Sequence, residues 1–282
     1  MRQRIISAAL GIPLVIVVLF FYQTPLLNIA MASVALMAIY EVFVATKYIE
    51  NRGITIVSFV YAALIPFFHI KHLIVVSQAL SFLFILTLFI LLIANNQKMR
   101  VEHIGTVFML TLLLSLSFSC IVYIRDIYVG KNIAQGLALF YIILVFVGAW
   151  ITDAGAYFIG VFFGKTKFSP NISPKKTVEG ATGGIVSTLI FFFIVALIYR
   201  YYVSFSGGAI SINFVALTFA AILSAVAAII GDLSASLIKR QCHIKDFGNI
   251  LPGHGGLLDR FDSVMFVAPL LFIYLQIFPI VR

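Results

Sequence analysis

Apolar runs of about 20 residues, the length an α-helix needs to cross the hydrocarbon core of a bilayer, recur along almost the whole chain. A soluble fold does not accommodate that pattern, because nearly every segment would have to lie in a core at once. With 62% hydrophobic residues and a mean hydropathy of +1.13, the sequence reads as an all-α, polytopic integral membrane protein. Nine transmembrane helices are expected, over residues 5–22, 25–46, 54–70, 72–94, 104–124, 135–163, 180–203, 210–231 and 263–281. The second and sixth are irregular in composition, since Glu41 sits inside one and Asp153 inside the other. The opening, Arg2 and Arg4 before an apolar run, has the form of a secretory signal. No small-residue cleavage site precedes the next run, so the opening is read as the first span.

Orientation follows from where the positive charges fall, since Lys and Arg near span ends stay on the cytoplasmic side. Of the 19 Lys and Arg, all but Lys71, Arg125, Lys131, Arg200 and Arg282 lie on the side of the amino terminus. The amino terminus is therefore expected to be cytoplasmic, with loops 164–179 and 232–262 on the same side. Residues 1–130 form an amino-terminal transmembrane region of unassigned role, and 131–282 a catalytic transmembrane region carrying both loops. The formal charge of +9 is scattered between apolar runs, which speaks against nucleic-acid binding. Cys120 and Cys242 have no CxxC partner and read as free thiols. Glu41, Glu50, Glu102, Asp126, His69, His72, His103 and His243 are scattered in loops or near span ends and read as solvated or interfacial.

One stretch breaks the apolar pattern. Ser236 to Asp262 reads SLIKRQCHIKDFGNILPGHGGLLDRFD, in a chain only 10% charged. Asp153, Glu179, Asp232, Asp246, Asp259 and Asp262 all fall in the second half, at or near the cytoplasmic ends of spans six, eight and nine. A carboxylate at membrane depth costs roughly 2.5–3.5 kcal/mol even on the insertion scale, so it is a functional candidate by default. If the ninth span is already helical at LLDRFD, Asp259 and Asp262 share a face. Asp232, after Gly231 at the end of the eighth span, is expected to be folded back by the following loop to meet them. Carboxylates without cysteine suit a hard cation such as Mg²⁺. Mg²⁺ fills its remaining positions with water and phosphate, which points to a phosphate substrate. Lys175, Lys176, Lys239, Arg240, Lys245 and Arg260 place cations beside the acids, suited to phosphate as point charges and bidentate clamps. Lys165 and Lys167 read instead as topological charges. The Pro252–Gly256 segment, PGHGG, is a low-bulk loop whose amides can approach a phosphate chain. GVFFGKT, Gly160 to Thr166, is one residue short of a P-loop. Gly160 with Gly164, and Gly180 with Gly184, read as small-residue helix contacts.

The order Ser236, Lys239-Arg240, Lys245-Asp246, Gly248, Leu251-Pro252, His254-Gly255-Gly256, Asp259-Arg260 and Asp262 resembles the signature of the phosphatidate cytidylyltransferases, or CDP-diacylglycerol synthases. Asp153-Ala-Gly-Ala-Tyr157 and Ser173-Pro174-Lys175-Lys176-Thr177 with Glu179-Gly180 also resemble that family. The similarity covers about Trp150 to Pro269, and the first 130 residues carry no motif. The resemblance implies that CTP and phosphatidic acid give CDP-diacylglycerol and pyrophosphate, in phospholipid biosynthesis at a bacterial inner or cell membrane, with the site facing the cytoplasm. It implies Mg²⁺, with room for an assisting K⁺, and a homodimer. Asp232, Asp259 and Asp262 match the acidic metal-site positions. In this reading Lys239, Arg240 and Arg260 stabilise charge on pyrophosphate. Asp153, Ser173, Lys175, Lys176, Lys245, Asp246 and His254 contribute to substrate binding. Several alternatives stay open: Lys175 and Lys176 hold either lipid headgroup or nucleotide, Asp246 pairs with Lys245 or binds substrate, His254 is a loop hydrogen-bonder or a phosphate contact, and Asp153 lines a polar cavity or pairs internally. Two rival functions remain, a CTP-dependent polyprenol kinase and a cation-coupled transporter. The concentration of polar residues in one half favours an enzyme over the paired repeats common in transporters.

Overall fold

The computed structural model describes residues 11, 13–48, 51–68, 74–97, 99–129, 136–250, 253 and 255–282. It is helical almost throughout, and seven of its helices are long and apolar enough to cross a membrane. They divide between two compact units: residues 1–123 with 242–260, and residues 124–241 with 261–282.

In the first unit, α1 (Leu26–Ala45), α2 (Arg52–Leu64), α3 (Ile74–Ala94) and most of α4 (Val101–Tyr128) correspond to expected spans two to five. Residues 11 and 13–20 are helical, within the expected first span. Expected span three is shorter than the apolar run implies. α2 has 13 residues, and at Pro66 it tightens into a single 3₁₀ turn, Ile65–Phe67. At 1.5 Å per residue α2 rises about 20 Å, against about 30 Å of hydrocarbon. The carbonyls that this break frees are used: Asn28 Nδ2 donates to Pro66 O at 2.8 Å and the Tyr123 hydroxyl to Ile65 O at 3.3 Å. A backbone acceptor left bare at membrane depth would cost several kcal/mol. At its other end α2 is capped by the Asn51 side chain, which accepts from Ile54 N at 3.2 Å.

The second unit contains α5 (Leu137–Phe146), a π-helical turn (Val147–Ile151) and α6 (Thr152–Phe163), which together make the expected sixth span. A short antiparallel hairpin follows, β1 (Lys167–Ser169) and β2 (Ser173–Thr177), paired Lys167 to Thr177 and Ser169 to Ser173. The all-α expectation thus holds apart from this hairpin in the first polar loop. Helix α7 (Val178–Phe205) starts where the Thr177 hydroxyl accepts from Gly180 N at 3.1 Å. Its glycine face packs on α6: a Cβ on Gly180 would lie 2.7 Å from Ala156 O and 3.2 Å from the Gly160 Cα. The expected small-residue contact is therefore present.

Helix α8 (Phe214–Gln241) runs ten residues past the expected end of span eight. The apolar run stops near Ile230, but the backbone ladder continues because Leu233 to Gln241 contains no helix breaker. Asp232, Lys239 and Arg240 are accordingly helical and not part of a returning loop. A four-residue α9 (Leu258–Phe261) is separated from α10 (Val264–Ile277) by a break at Asp262 and Ser263. Asp259 and Asp262 therefore do not share one continuous helix face, which corrects the expectation drawn from their spacing. The carboxy terminus is tied back where Ser211 and Arg282 exchange backbone hydrogen bonds at 2.9 and 3.0 Å.

Candidate functional site

The second unit gathers Asp153 from α6, Lys176 from β2, Asp232 and Lys239 from α8, and Asp262 from the break before α10. The π-helical turn widens the helix just before Asp153, a device often found at functional sites. There the Thr152 and Thr188 hydroxyls meet at 2.6 Å, fixing α6 against α7 one residue from Asp153. Gly231 brings α8 against the helix break: a Cβ there would lie 2.5 Å from Asp262 O and 3.1 Å from the Ser263 Cα. That close approach puts Asp232 beside Asp262. Phe261 packs edge-on against Trp150, ring centroids 6.0 Å apart, and so anchors the same break to the π turn.

Asp262 is buried, at 7% exposure. One of its oxygens accepts from Ser263 N at 2.9 Å, and it faces the like charges of Asp232 and Asp153 and the opposite charge of Lys239. Asp153 accepts from the Ser263 hydroxyl at 2.6 Å and faces Asp232 and Lys176. The Lys176 ammonium lies 2.6 Å from Asp232 Oδ2. The group is buried and has no other polar partner among the described residues, so of its three protons only the one facing Asp232 is engaged. Strand alternation separates the two lysines that the sequence left together: Lys176 is half-buried on the carboxylates, whereas Lys175 is exposed. Ser173 opens β2 and is half-buried. Exposed Arg240 donates from Nε to Ile172 O at 3.3 Å, which ties α8 to the hairpin. Glu179 accepts from Lys165 N and Thr166 N at 3.0 and 3.1 Å, a structural brace for the hairpin's start.

Asp259 belongs to the first unit, where its Oδ2 accepts from Phe247 N and Gly256 N, both at 3.0 Å. The trio named from the sequence thus divides, with Asp232 and Asp262 in the second unit. Arg260 and Lys245 are exposed. Asp246 lies against Gly255 and, among the described residues, forms no ion pair with Lys245. His254 lies outside the described residues, as do Glu50, His69 and His72. Glu41, expected to be solvated or interfacial, is instead buried at 2% exposure, with both oxygens engaged by backbone amides of Leu257 and Leu258. The signal was available, since an acid inside an otherwise apolar run must find internal partners.

Among the described residues no group of three His, Cys, Asp or Glu side chains is drawn tightly enough to cage a metal ion. The donor set still fits Mg²⁺. It is all oxygen, and the Gly231 contact sets two of its carboxylates, Asp232 and Asp262, side by side. Mg²⁺ needs one or two carboxylates, with water and phosphate completing its shell, and does not need an all-protein cage.

Residues 2–278 match the model of the cytidylyltransferase family. Curated relatives agree. The chain is 32% identical over 284 residues to the phosphatidate cytidylyltransferase of Bacillus subtilis, covering 99% of this chain and 98% of that one. It is 31% identical to the enzyme of that name in Thermotoga maritima, covering 98% and 97%. A shorter match, 45% over 137 residues and 49% of each chain, joins it to the phosphatidate cytidylyltransferase of Staphylococcus haemolyticus. The likeness therefore extends through the first 130 residues, beyond the stretch in which motifs were visible. The chain belongs to the cytidylyltransferase family.

Proposed function

We infer that this member of the family transfers the cytidylyl group of CTP to phosphatidic acid, forming CDP-diacylglycerol and pyrophosphate. The observation that carries the reading is the end-to-end match to phosphatidate cytidylyltransferases. The second unit's acid and lysine cluster supplies a site of the right chemistry. A phosphate oxygen of phosphatidic acid bonds to the α-phosphorus of CTP as the bond to pyrophosphate breaks. A phosphomonoester's second pKa is about 6, so the nucleophile is already ionised near neutral pH and needs no strong base. What the protein must provide is alignment and relief of anionic charge.

In our reading Asp232 and Asp262 hold Mg²⁺. Bound there, the ion neutralises charge on the triphosphate and on the departing pyrophosphate. Lys176, whose buried ammonium has protons to spare, donates to a substrate phosphate. Asp153 holds the Ser263 hydroxyl and so keeps the helix break in register. Lys239 and Arg240, on the last turns of α8, draw the pyrophosphate. Lys175, Lys245 and Ser173 belong to the binding surface. Asp259, Arg260, Asp246 and His254 keep the roles that the motif implies, and K⁺ is retained as an auxiliary cation. The reading further includes nine spans with a cytoplasmic amino terminus, a site facing the cytoplasm at the cell membrane, and a homodimer. Light scattering of the detergent-purified chain measures the last of these.

The test uses purified chain, Mg²⁺ and phosphatidic acid with CTP labelled in turn at the α- and γ-phosphorus. Label from the α position is expected in lipid, with γ label released as pyrophosphate. Entry of γ label into an added polyprenol would establish the kinase instead. Transfer to neither lipid would overturn the enzymatic reading.

A further inference from the structure

Glu41 stands apart from the acid and lysine cluster, in the first unit, four residues before the end of α1. Its carboxylate is a two-pronged acceptor: Oε1 takes the amide of Leu257 and Oε2 that of Leu258, both at 2.8 Å. These amides open the short helix that carries Asp259 and Arg260. The loop folds over the carboxylate so closely that side chains are excluded at two points. A Cβ on Gly256 would lie 2.7 Å from Glu41 Oε2, and one on Gly248 2.8 Å from Oε1. Asp259 grips the same loop from its other side through Phe247 N and Gly256 N. Two carboxylates thus hold four backbone N–H groups and define the path of the loop. Between the held amides run Gly253 and Gly255, with φ of +79° and +86°, values that glycine adopts without strain.

We propose that Glu41 is a positioning residue for cytidylyl transfer. By clamping Leu257 and Leu258 it fixes where the next two residues, Asp259 and Arg260, present their side chains, and it shapes the glycine turn before them. The inference rests on the reading above that this polar segment serves the nucleotide. An apolar side chain at position 41 would leave these two amides without their acceptors. A shorter or neutral one would satisfy at most one of them. Glycine at 248 and 256 follows from the clamp, because the space where a Cβ would sit is filled by carboxylate oxygen.

The experiment compares the full chain, purified in detergent, with Glu41→Gln, Glu41→Ala, Gly248→Ala and the double variant Glu41→Ala/Gly248→Ala. Glu102→Gln, at an exposed acid on α4, is the control. Glu41→Gln keeps the side-chain shape but turns one acceptor into a donor facing an amide. Its kcat/KM for CTP is expected to fall on the order of 10- to 100-fold, measured at a temperature where the variant is fully folded, with a lowered unfolding midpoint and KM for phosphatidic acid near wild type. Gly248→Ala, whose Cβ would meet only Glu41 atoms, should show the same CTP-specific loss. In the Glu41→Ala background Gly248→Ala should add little, since every atom its Cβ would strike belongs to the Glu41 side chain; such non-additivity is the mark of two residues sharing one contact. Wild-type kinetics in Glu41→Gln would overturn the proposal. So would equal losses for both substrates that track a fall in folded protein, or fully additive effects of Glu41→Ala and Gly248→Ala. If wild type and Glu102→Gln form no CDP-diacylglycerol at all, it is the functional reading that fails, not the clamp.

Discussion

Both units bury carboxylates in apolar surroundings, and they settle them in opposite ways. In the first, Glu41 and Asp259 accept from backbone amides of one loop, two amides each. In the second, Asp153, Asp232 and Asp262 face one another, with hydroxyls, one neighbouring amide and two lysines as partners. Asp259 takes both of its amides on Oδ2. A carboxylate with an amide on each oxygen, as in Glu41, is a strut, because its charge is already solvated by the chain. One held against like charges stores repulsion that a cation relieves, and such arrangements trade stability for function. On the reading proposed above, the difference separates Glu41, which shapes the loop, from Asp232 and Asp262, which take a cation, a distinction that composition alone does not make.

The sharpest way to break this comparison is Asp262→Asn. Turnover is expected to fall on the order of 100- to 1,000-fold, while the thermal midpoint holds or rises, because a like charge has been removed. Loss of folded protein in place of activity would place Asp262 among the struts. Next in size, Lys176→Met should lower kcat on the order of 10- to 100-fold, whereas Lys175→Met, at an exposed position of the same strand, should change it less than about threefold. Equal effects in steady-state assays would erase the distinction that strand alternation draws. The smallest effect belongs to a purely structural contact. Thr177→Ala removes the hydroxyl that caps α7 and should cost about 1 kcal/mol of stability, seen as a lower unfolding midpoint with kcat/KM intact.

How far the sequence anticipates this molecule depends on the range of the interaction. The apolar runs place the helices, because a 20-residue run allows little else at membrane depth. They misjudge α2, where Pro66 shortens the span, and α8, where helix propensity outlasts hydrophobicity. The spacing of Asp259 and Asp262 suggested a shared face, but the break at Asp262 and Ser263 is set by the approach of Gly231 from another helix. No local pattern contains that contact. Glu41 shows the same limit from the other side. Its partners lie more than 200 residues away in sequence, so its burial was legible as an anomaly while its role was not. Asp153, by contrast, stood out for the same reason and joins the cluster.

The central claim is that Asp232 and Asp262 of the second unit receive the metal, whereas Glu41 of the first unit holds the loop and touches no metal. Mn²⁺, a paramagnetic stand-in for Mg²⁺, makes this measurable by titrating the purified chain in the presence of CTP and following free Mn²⁺ by electron paramagnetic resonance. The account predicts that Asp262→Asn loses the bound Mn²⁺ seen in wild type, while Glu41→Gln retains it. Wild-type Mn²⁺ binding by Asp262→Asn, with loss in Glu41→Gln, would contradict it.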